Sequence, residues 1–277
     1  MLPELTLAQF TLLAALGVSV GAIGAMVGVG GGFLLVPALL IIFPDADPAV
    51  ITSISLTAIV MNAASASYGY RRRGWQDGRT ALILIAAAIP TAAIGALLTR
   101  TVDRGAFDIA FGATLVVGAA YLAWRSGKIP AAFVAAAKGA PRRLVDSVGE
   151  VYEYRVREPI AAAIALFSGF MVFFGIGGGI LSVPIMMLTL KIPPRIAVAT
   201  SQLQLAVASS AAVLVHLSYS VGDSDQWIRA LIVGGGTLTG AQIGVRLAGL
   251  ISGRAVLMIL AIALVIAGVR QLVSGLT

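Results

Sequence analysis

Long apolar stretches dominate the chain and are separated by short polar segments. Each approaches or exceeds the roughly 20 helical residues that cross a bilayer core of about 30 Å. Backbone groups in lipid need hydrogen-bond partners within their own segment, so these stretches predict membrane-spanning helices. Six full spans are expected, at Val50–Tyr70, Thr80–Thr99, Gly105–Trp124, Ile196–Tyr219, Ile228–Ile251 and Ala255–Val273.

Two glycine runs interrupt the apolar pattern where a helix would otherwise continue. Residues 28–37 read GVGGGFLLVP and residues 175–184 read GIGGGILSVP, identical at seven of ten positions. An apolar helix precedes each run, and a short helix of about 11 residues, or about 17 Å, follows it and spans only half a membrane. The predicted pairs are Leu5–Val27 with Phe33–Phe43, and Pro159–Phe174 with Ile180–Leu190.

The glycine runs belong to an internal repeat. Thr52 and Ser53 in the first half match Thr200 and Ser201 in the second. The chain therefore divides into an N-terminal repeat at residues 1–124, a linker loop at 125–158 and a C-terminal repeat at 159–277. Each repeat is predicted to hold a glycine-tipped helical hairpin with a half-length helix, followed by three transmembrane helices. The predicted fold class is an all-α polytopic membrane protein.

Composition supports the membrane assignment. Of 277 residues, 59% are hydrophobic and 11% charged, and the mean hydropathy is +0.99, well outside the range of soluble domains. Cysteine is absent, which excludes disulfides, thiol nucleophiles and thiolate metal sites. The net charge of +7 comes from bases that flank apolar spans, so it indicates topology rather than nucleic-acid binding. No metal or cofactor is expected.

The distribution of Lys and Arg predicts the orientation of the two repeats, because cytoplasmic loops carry an excess of positive charge. The loop at residues 71–79 and the linker are assigned inside, and 15 of the 19 basic residues are then cytoplasmic. This assignment requires each glycine hairpin to begin and end on the same side. Three spans plus a hairpin give an odd number of crossings, so the repeats are inverted and both termini lie outside. Inverted repeats are typical of secondary transporters.

The glycine runs have a chemical use in that arrangement. Hairpins that enter from opposite faces bring their tips together near the midplane, and each tip exposes the N–H groups and positive dipole of a short helix. This is a way to hold an anion without a buried cation, although close packing of helices is the alternative role for such glycines. The substrate-binding residues predicted at the tips are Gly30, Gly31, Gly32, Phe33, Gly177, Gly178, Gly179 and Ile180.

Polar side chains in the following spans add candidate donors for an oxyanion, Ser55 and Gln202 among them. Helix–helix hydrogen bonding is their alternative role. No membrane-embedded carboxylate stands out, which argues against cation substrates. Whether His216 or Arg246 lines the pathway is left open by the sequence. The predicted side-chain ligands are Thr52, Ser53, Asn62, Thr200, Ser201 and Gln204.

The two glycine motifs are each followed by a similar segment, AVITSIS at residues 49–55 and AVATSQLQ at 197–204. With these segments the chain resembles the TauE/SafE sulfite exporter family of membrane permeases over essentially its whole length. The resemblance implies transport of sulfur-containing anions such as sulfite, sulfonates, sulfoacetate or thiosulfate. It also implies a location in the bacterial cytoplasmic (inner) membrane, commonly with export as the direction.

The resulting hypothesis is a secondary anion exporter that works by alternating access. An anion channel and a coupled importer of the same anions remain alternatives. An intramembrane enzyme built on Ser168 and His216 is disfavoured, because LFSGF lacks a nucleophile-elbow pattern. The predicted partners are a small anion and the lipid bilayer, and not nucleic acid. A homodimer is compatible with the sequence, which contains no feature that establishes one.

Overall fold

The structure is a computed structural model that describes residues 6–126, 139–219, 224–250 and 252–276. Within these ranges the helices lie within four residues of their predicted bounds. The first half contains α1 (Leu7–Val27), α2 (Gly32–Ile42), α3 (Pro48–Arg72), α4 (Gly78–Leu98) and α5 (Arg104–Ser126). The second half contains α6 (Glu158–Phe170), α7 (Gly179–Leu188), α8 (Pro194–Tyr219), α9 (Ser224–Ala248) and α10 (Gly253–Leu276). Short 3₁₀ turns follow α4 and α6, at Thr99–Thr101 and Met171–Phe174.

Five helices among the described residues are long and apolar enough to span a bilayer. They are Leu7–Val27, Pro48–Arg72, Gly78–Thr101, Pro194–Tyr219 and Ser224–Ala248. The helices that follow the glycine runs are short, with 11 residues in α2 and 10 in α7. At a rise of about 1.5 Å per residue, neither crosses a membrane alone. The protein is therefore a helical, multi-pass membrane protein that contains two half-length helices.

Local sequence signals explain where several helices begin. Thr6 and Gln9 form a reciprocal capping box at α1, where the Thr6 hydroxyl accepts from the Gln9 amide at 3.2 Å. Asp77 caps α4 by accepting from the Thr80 amide at 3.1 Å. α3 begins with Pro48, whose missing N–H costs nothing at the first helical position.

Helices of the two halves pack against one another in exchangeable pairs. α1 packs on α9 and α6 on α4, while α3 contacts α9 and α8 contacts α4. The remaining large interfaces join α3 to α8 and α5 to α10. Exchanging each helix for its counterpart in the other half reproduces the same set of contacts. The packing thus follows the internal repeat seen in the sequence.

The linker contains a structure that the sequence reading missed, an antiparallel hairpin of β1 (Ala140–Val145) and β2 (Val151–Val156). The alternation in VYEYRV is a strand signal, but the charged residues of the linker were used only to predict the topology. An interfacial helix, expected near residues 131–137 of this loop, lies outside the described residues.

The predicted cytoplasmic loops meet at one end of the molecule, here called the basic end. The Ser147 amide in the hairpin turn donates to the Arg73 carbonyl at 3.0 Å. Arg195, at the start of α8, lies 3.3 Å from the Glu150 carboxylate and donates to the Gly249 carbonyl at 3.3 Å. One surface therefore carries the linker hairpin, the α3–α4 loop, the start of α8 and the end of α9.

The loops predicted to lie outside meet at the other end. Arg104 donates to the Pro44 and Ala46 carbonyls at 3.2 and 2.9 Å and pairs with Asp108 at 2.9 Å. The Arg100 guanidinium lies 4.2 Å from the centre of the Tyr219 ring. Arg100 and Arg104, at the connection between α4 and α5, are thus both engaged in local contacts.

Candidate functional site

The two glycine turns have the same backbone conformation. The first three glycines of each run lie in the left-handed region, which glycine adopts without the steric cost other residues pay. The φ values are +86°, +77° and +87° at Gly28, Gly30 and Gly31, and +69°, +69° and +74° at Gly175, Gly177 and Gly178. The repeated motif therefore encodes a repeated local structure.

The two turns lie in direct contact. A Cβ added to Gly32 would lie 2.6 Å from the Gly175 carbonyl oxygen, and one added to Gly179 would lie 2.9 Å from the Gly28 oxygen. Real Cβ atoms do not approach oxygen this closely, so only glycine permits this approach of the two backbones. The first residue of each half-helix thus packs on the first glycine of the opposite run.

Each turn delivers the N-terminus of its half-helix with unsatisfied amides. In α2 the Leu34 and Leu35 amides donate to the Gly31 carbonyl, at 3.0 and 3.1 Å. Across the described parts of the chain, the amides of Gly32 and Phe33 donate to no group. α7 repeats this arrangement, with Leu181 and Ser182 donating to Gly178 and with Gly179 and Ile180 as the free donors. Such free donors, with the positive end of the helix dipole, favour an anion.

Apolar side chains border the space between the turns. A Cβ on Gly30 would lie 3.0 Å from Ile59 and 3.4 Å from Leu205, and a Cβ on Gly177 would lie 3.1 to 3.2 Å from the same two side chains. Ile59 and Leu205 are buried near the centres of α3 and α8. In this conformation they pack on both turns, and an anion would reach the glycines only after they move.

Serine hydroxyls anchor each turn to the opposite half. Ser201 in α8 donates to the Gly28 carbonyl at 2.9 Å, and Ser55 in α3 donates to the Gly175 carbonyl at 2.7 Å. Ser201 was among the predicted ligands. Ser55 was a further candidate donor, and it follows Thr52 of the repeated Thr-Ser pair by three residues.

Two further predicted ligands use their hydroxyls within their own helix. Thr52 donates to the Pro48 carbonyl at 2.8 Å, and its side chain lies against Gly175. Ser53 donates to the Val50 carbonyl at 2.8 Å. A hydroxyl carries one proton, so in this conformation neither offers a donor to a ligand.

Gln204 lies beside the second turn, whereas Asn62 and Thr200 are engaged elsewhere. Gln204 donates to the Ser168 hydroxyl at 2.8 Å, and the Ser168 backbone packs against Gly178. Asn62 donates to carbonyls of α1 and α9, the nearer at 2.8 Å. The Thr200 hydroxyl accepts from the Asp77 amide at 3.1 Å, at the basic end.

The remaining candidates are placed as follows. The Phe33 and Ile180 side chains are part of the buried core at the half-helix starts. His216 is buried near the C-terminal end of α8, and Arg246 is exposed on α9. The Ser168 hydroxyl bonds to Ala165 and Gln204 and not to His216.

The electrostatics of the turns come from backbone dipoles. The side chains nearest to the left-handed glycines are uncharged: Val20, Thr52, Ile59, Val183, Val198 and Leu205. Amide groups in such apolar surroundings interact more strongly with an ion than they would in water. Backbone N–H donors in such surroundings are suited chemically to a small anion.

Comparisons with known proteins agree with these features. The family model described as "Sulfite exporter TauE/SafE" matches residues 13–271. The chain is 30% identical over 275 residues to a probable membrane transporter protein, YunE, of Bacillus subtilis (strain 168), covering 97% of this chain and 99% of that protein. It is 27% identical over 234 residues to a probable membrane transporter protein of Xylella fastidiosa (strain Temecula1 / ATCC 700964), covering 83% and 81%.

No solved structure gives a significant match to the chain. The family match covers both glycine turns and all the helices that position them. The relatives in two bacteria are described as transporters, in keeping with a buried polar site inside a multi-pass bundle. This chain belongs to the TauE/SafE sulfite exporter family of membrane transport proteins.

Proposed function

We propose that this protein is a secondary transporter that exports sulfur-containing anions, such as sulfite, sulfonates or sulfoacetate, across the bacterial inner membrane. The observation that carries the proposal is the meeting of two half-helix N-termini, one from each half, with free amides at Gly32, Phe33, Gly179 and Ile180. Two such termini at one place favour an anion over a cation or a neutral solute. The family description supplies the substrate class.

Inverted repeats would explain the exchangeable packing. α1 and α9 run in the same direction, since Gly17 packs near Val233 and Gly244 packs near Ala25. α10 runs against its partner α5, where Gly112 meets Leu272. In the proposal the two hairpins re-enter from opposite faces, with the linker and the basic end in the cytoplasm and both termini outside. Rocking of one packed group against the other would expose the turns to each side alternately.

The apolar pair at the turns supports a conformational cycle. Ile59 and Leu205 pack on both Gly30 and Gly177, so binding requires their displacement. No ATP-binding motif occurs in the sequence, and the driving force is taken to be an ion gradient or the membrane potential. An inside-negative potential favours outward movement of an anion by about 2.3 kcal/mol per charge per 100 mV.

Thermal stabilisation of the purified protein tests the site. The panel contains sulfite, thiosulfate, sulfoacetate, taurine, sulfate and acetate. A sulfur oxyanion should stabilise the wild type selectively, and Gly30→Ala or Gly177→Ala should weaken binding about tenfold, or about 1.4 kcal/mol. The added methyl enters the space between the turns.

Gly149→Ala is the matched control for backbone strain. Gly149 has a φ of +89°, like the turn glycines, but a Cβ there meets nothing within 4 Å. It should show the strain of the left-handed region without loss of binding. If no anion stabilises the wild type, or Gly30→Ala binds as tightly as Gly149→Ala, the turns serve packing alone.

Transport in proteoliposomes separates the alternatives. A carrier gives flux that saturates and shows counterflow, whereas an anion channel shows neither. A coupled importer would accumulate the anion against its gradient when the ion gradient is directed inward. Evidence for a channel or for an importer would replace the proposed exporter but would leave the proposed binding site unchanged.

A further inference from the structure

A large cavity lined by charged and apolar side chains lies at the basic end, separate from the glycine turns. Its volume is about 900 Å³, and it opens between the end of α3 and the start of α4. The linker hairpin closes it on one side, and Leu203 of α8 lies on its wall. A neighbouring cavity of about 380 Å³ shares Arg79 and Arg142. The proposed transport function assigns no role to this cavity.

Four arginines and one aspartate line the larger cavity. The arginines are Arg71, Arg79, Arg142 and Arg143. Within the described parts of the chain, the exposed side chains of Arg71 and Arg79 form no ion pair or hydrogen bond. Arg143 lies 3.6 Å from Glu153, and both of these side chains are mostly exposed. The cavity therefore offers positive charge that the described part of the chain does not neutralise.

The aspartate of the cavity, Asp77, is already satisfied. Its carboxylate accepts from the Tyr154 hydroxyl at 2.8 Å and from the Thr80 hydroxyl at 2.5 Å. Arg142 approaches it at 3.5 Å while donating to Glu158 at 2.9 Å. Burial, followed by the charge of Asp77, raises the pKa of Tyr154, so its hydroxyl stays protonated and remains a donor. This cluster holds the hairpin in place and leaves Arg71 and Arg79 free for a ligand.

The wall of the cavity changes from basic to apolar along the two helices. Arg71 and Arg79 stand one helical turn from Tyr68 and Leu82, towards the end of the molecule. Tyr68 is 63% exposed and Leu82 68% exposed. In a membrane protein, exposed apolar side chains at this depth face lipid, and the arginines beyond them reach the headgroup level.

We propose that this cavity binds the phosphate headgroup of an acidic phospholipid. The chemistry it recognises is a tetrahedral oxyanion, held by Arg71 and Arg79, with acyl chains along Tyr68, Leu82 and Leu203. The division between charged and apolar walls favours a lipid over a free anion, which would gain nothing from the apolar part. Basic pockets between helices at the cytoplasmic surface bind acidic lipid headgroups in this way.

Native mass spectrometry of the purified protein with added lipids tests the assignment. Phosphatidylglycerol should bind at least about tenfold more tightly than phosphatidylcholine, a difference of about 1.4 kcal/mol. The double substitution Arg71→Gln/Arg79→Gln should abolish that preference. The matched control is Arg155→Gln/Arg157→Gln, which removes the same charge from exposed positions of the linker that do not line the cavity. The control should keep the preference.

Two results would overturn the proposal. One is an equal loss of phosphatidylglycerol binding in both double variants, which would reduce the effect to net charge. The other is stabilisation by free phosphate or sulfite that depends on Arg71 and Arg79 while phosphatidylglycerol gives no advantage, which would make the ligand a soluble anion. The variant Arg71→Lys/Arg79→Lys keeps the charge and should bind phosphatidylglycerol within about threefold of the wild-type affinity. Binding by this variant would show that the glutamine variant changed the site rather than the fold.

Discussion

The two glycine turns share one backbone conformation but have different supports. The first follows α1, which lies against α9 so closely that a Cβ on Gly21 would be 2.6 Å from the Thr237 Cα. The second follows a 3₁₀ turn, Met171–Phe174, inside an aromatic cluster. In that cluster Phe107 lies 5.8 to 5.9 Å from the rings of Phe111, Phe173 and Phe174. Close backbone contact supports both turns, since a Cβ on Gly169 of α6 would collide with the Ala88 carbonyl oxygen of α4. The aromatic cluster is an additional support of the second turn.

This difference separates what the repeat preserves from what it does not. The left-handed glycines, the free amides and the serine bonds to Gly28 and Gly175 recur in both halves. The helix contacts recur as well, whereas the 3₁₀ turn and the aromatic cluster are described beside the second turn. The turns keep the same left-handed glycines, free amides and serine bonds although their surroundings differ in part, as a site shared by the two halves would require.

The largest expected effect comes from breaking the backbone contact that supports the first turn. A Cβ on Gly240 would collide with the Val18 carbonyl of α1, while one on Gly235 of the same helix meets nothing within 4 Å. Gly240→Leu should lower the free energy of unfolding by about 3 kcal/mol or more. Gly235→Leu should change it by less than about 0.5 kcal/mol. Unfolding in SDS measures both, and equal losses would refute the close-packed support.

A smaller effect is expected from the aromatic support of the second turn. Phe107→Ala removes a fully buried ring and should cost about 2 kcal/mol. Replacing a buried phenylalanine of a soluble protein by alanine lowers the free energy of unfolding by about 3 to 5 kcal/mol, but here lipid can replace part of the lost contact. Phe167→Ala, at a side chain of α6 that is 50% exposed, is the control and should be nearly neutral. Equal effects at the two positions would show that the cluster does not support the turn.

The sequence predicted the helices well because lipid leaves the backbone few choices. Spans, half-helices and glycine turns follow from apolar length and from glycine placement. The direct contact between the turns could be expected from the repeat, since Gly32 and Gly179 occupy equivalent places. The linker hairpin could not be expected from charge counting, which treats Arg142 and Tyr154 as loop residues although both contact Asp77.

The candidate site was predicted less completely than the fold. Residue type indicates which side chains can donate a hydrogen bond, but only the structure shows which groups accept it. Thr52 and Ser53 use theirs within α3, and Ser201 uses its own to hold the first turn. Ile59 and Leu205 carry no polar signal, and their position between the turns depends on how α3 and α8 cross.

The smallest effect tests the equivalence of the two turns. Ser55→Ala and Ser201→Ala each remove one hydrogen bond from a buried turn carbonyl and should each cost about 1 kcal/mol. Ser210→Ala is the control, because its hydroxyl bonds to Ala206 of its own helix and its loss should cost less than about 0.5 kcal/mol. SDS unfolding measures all three variants.

Equal costs for Ser55→Ala and Ser201→Ala would mean that each half holds the other's turn with the same strength, whatever helices stand behind it. The two variants should then also weaken anion binding alike, because either one loosens a half-helix N-terminus. A cost confined to Ser201→Ala would instead mean that only the first turn depends on its serine. The repeat would in that case preserve the backbone of the turns but not their anchoring by serine, and the second turn would depend on its aromatic cluster and on the contact between α6 and α4.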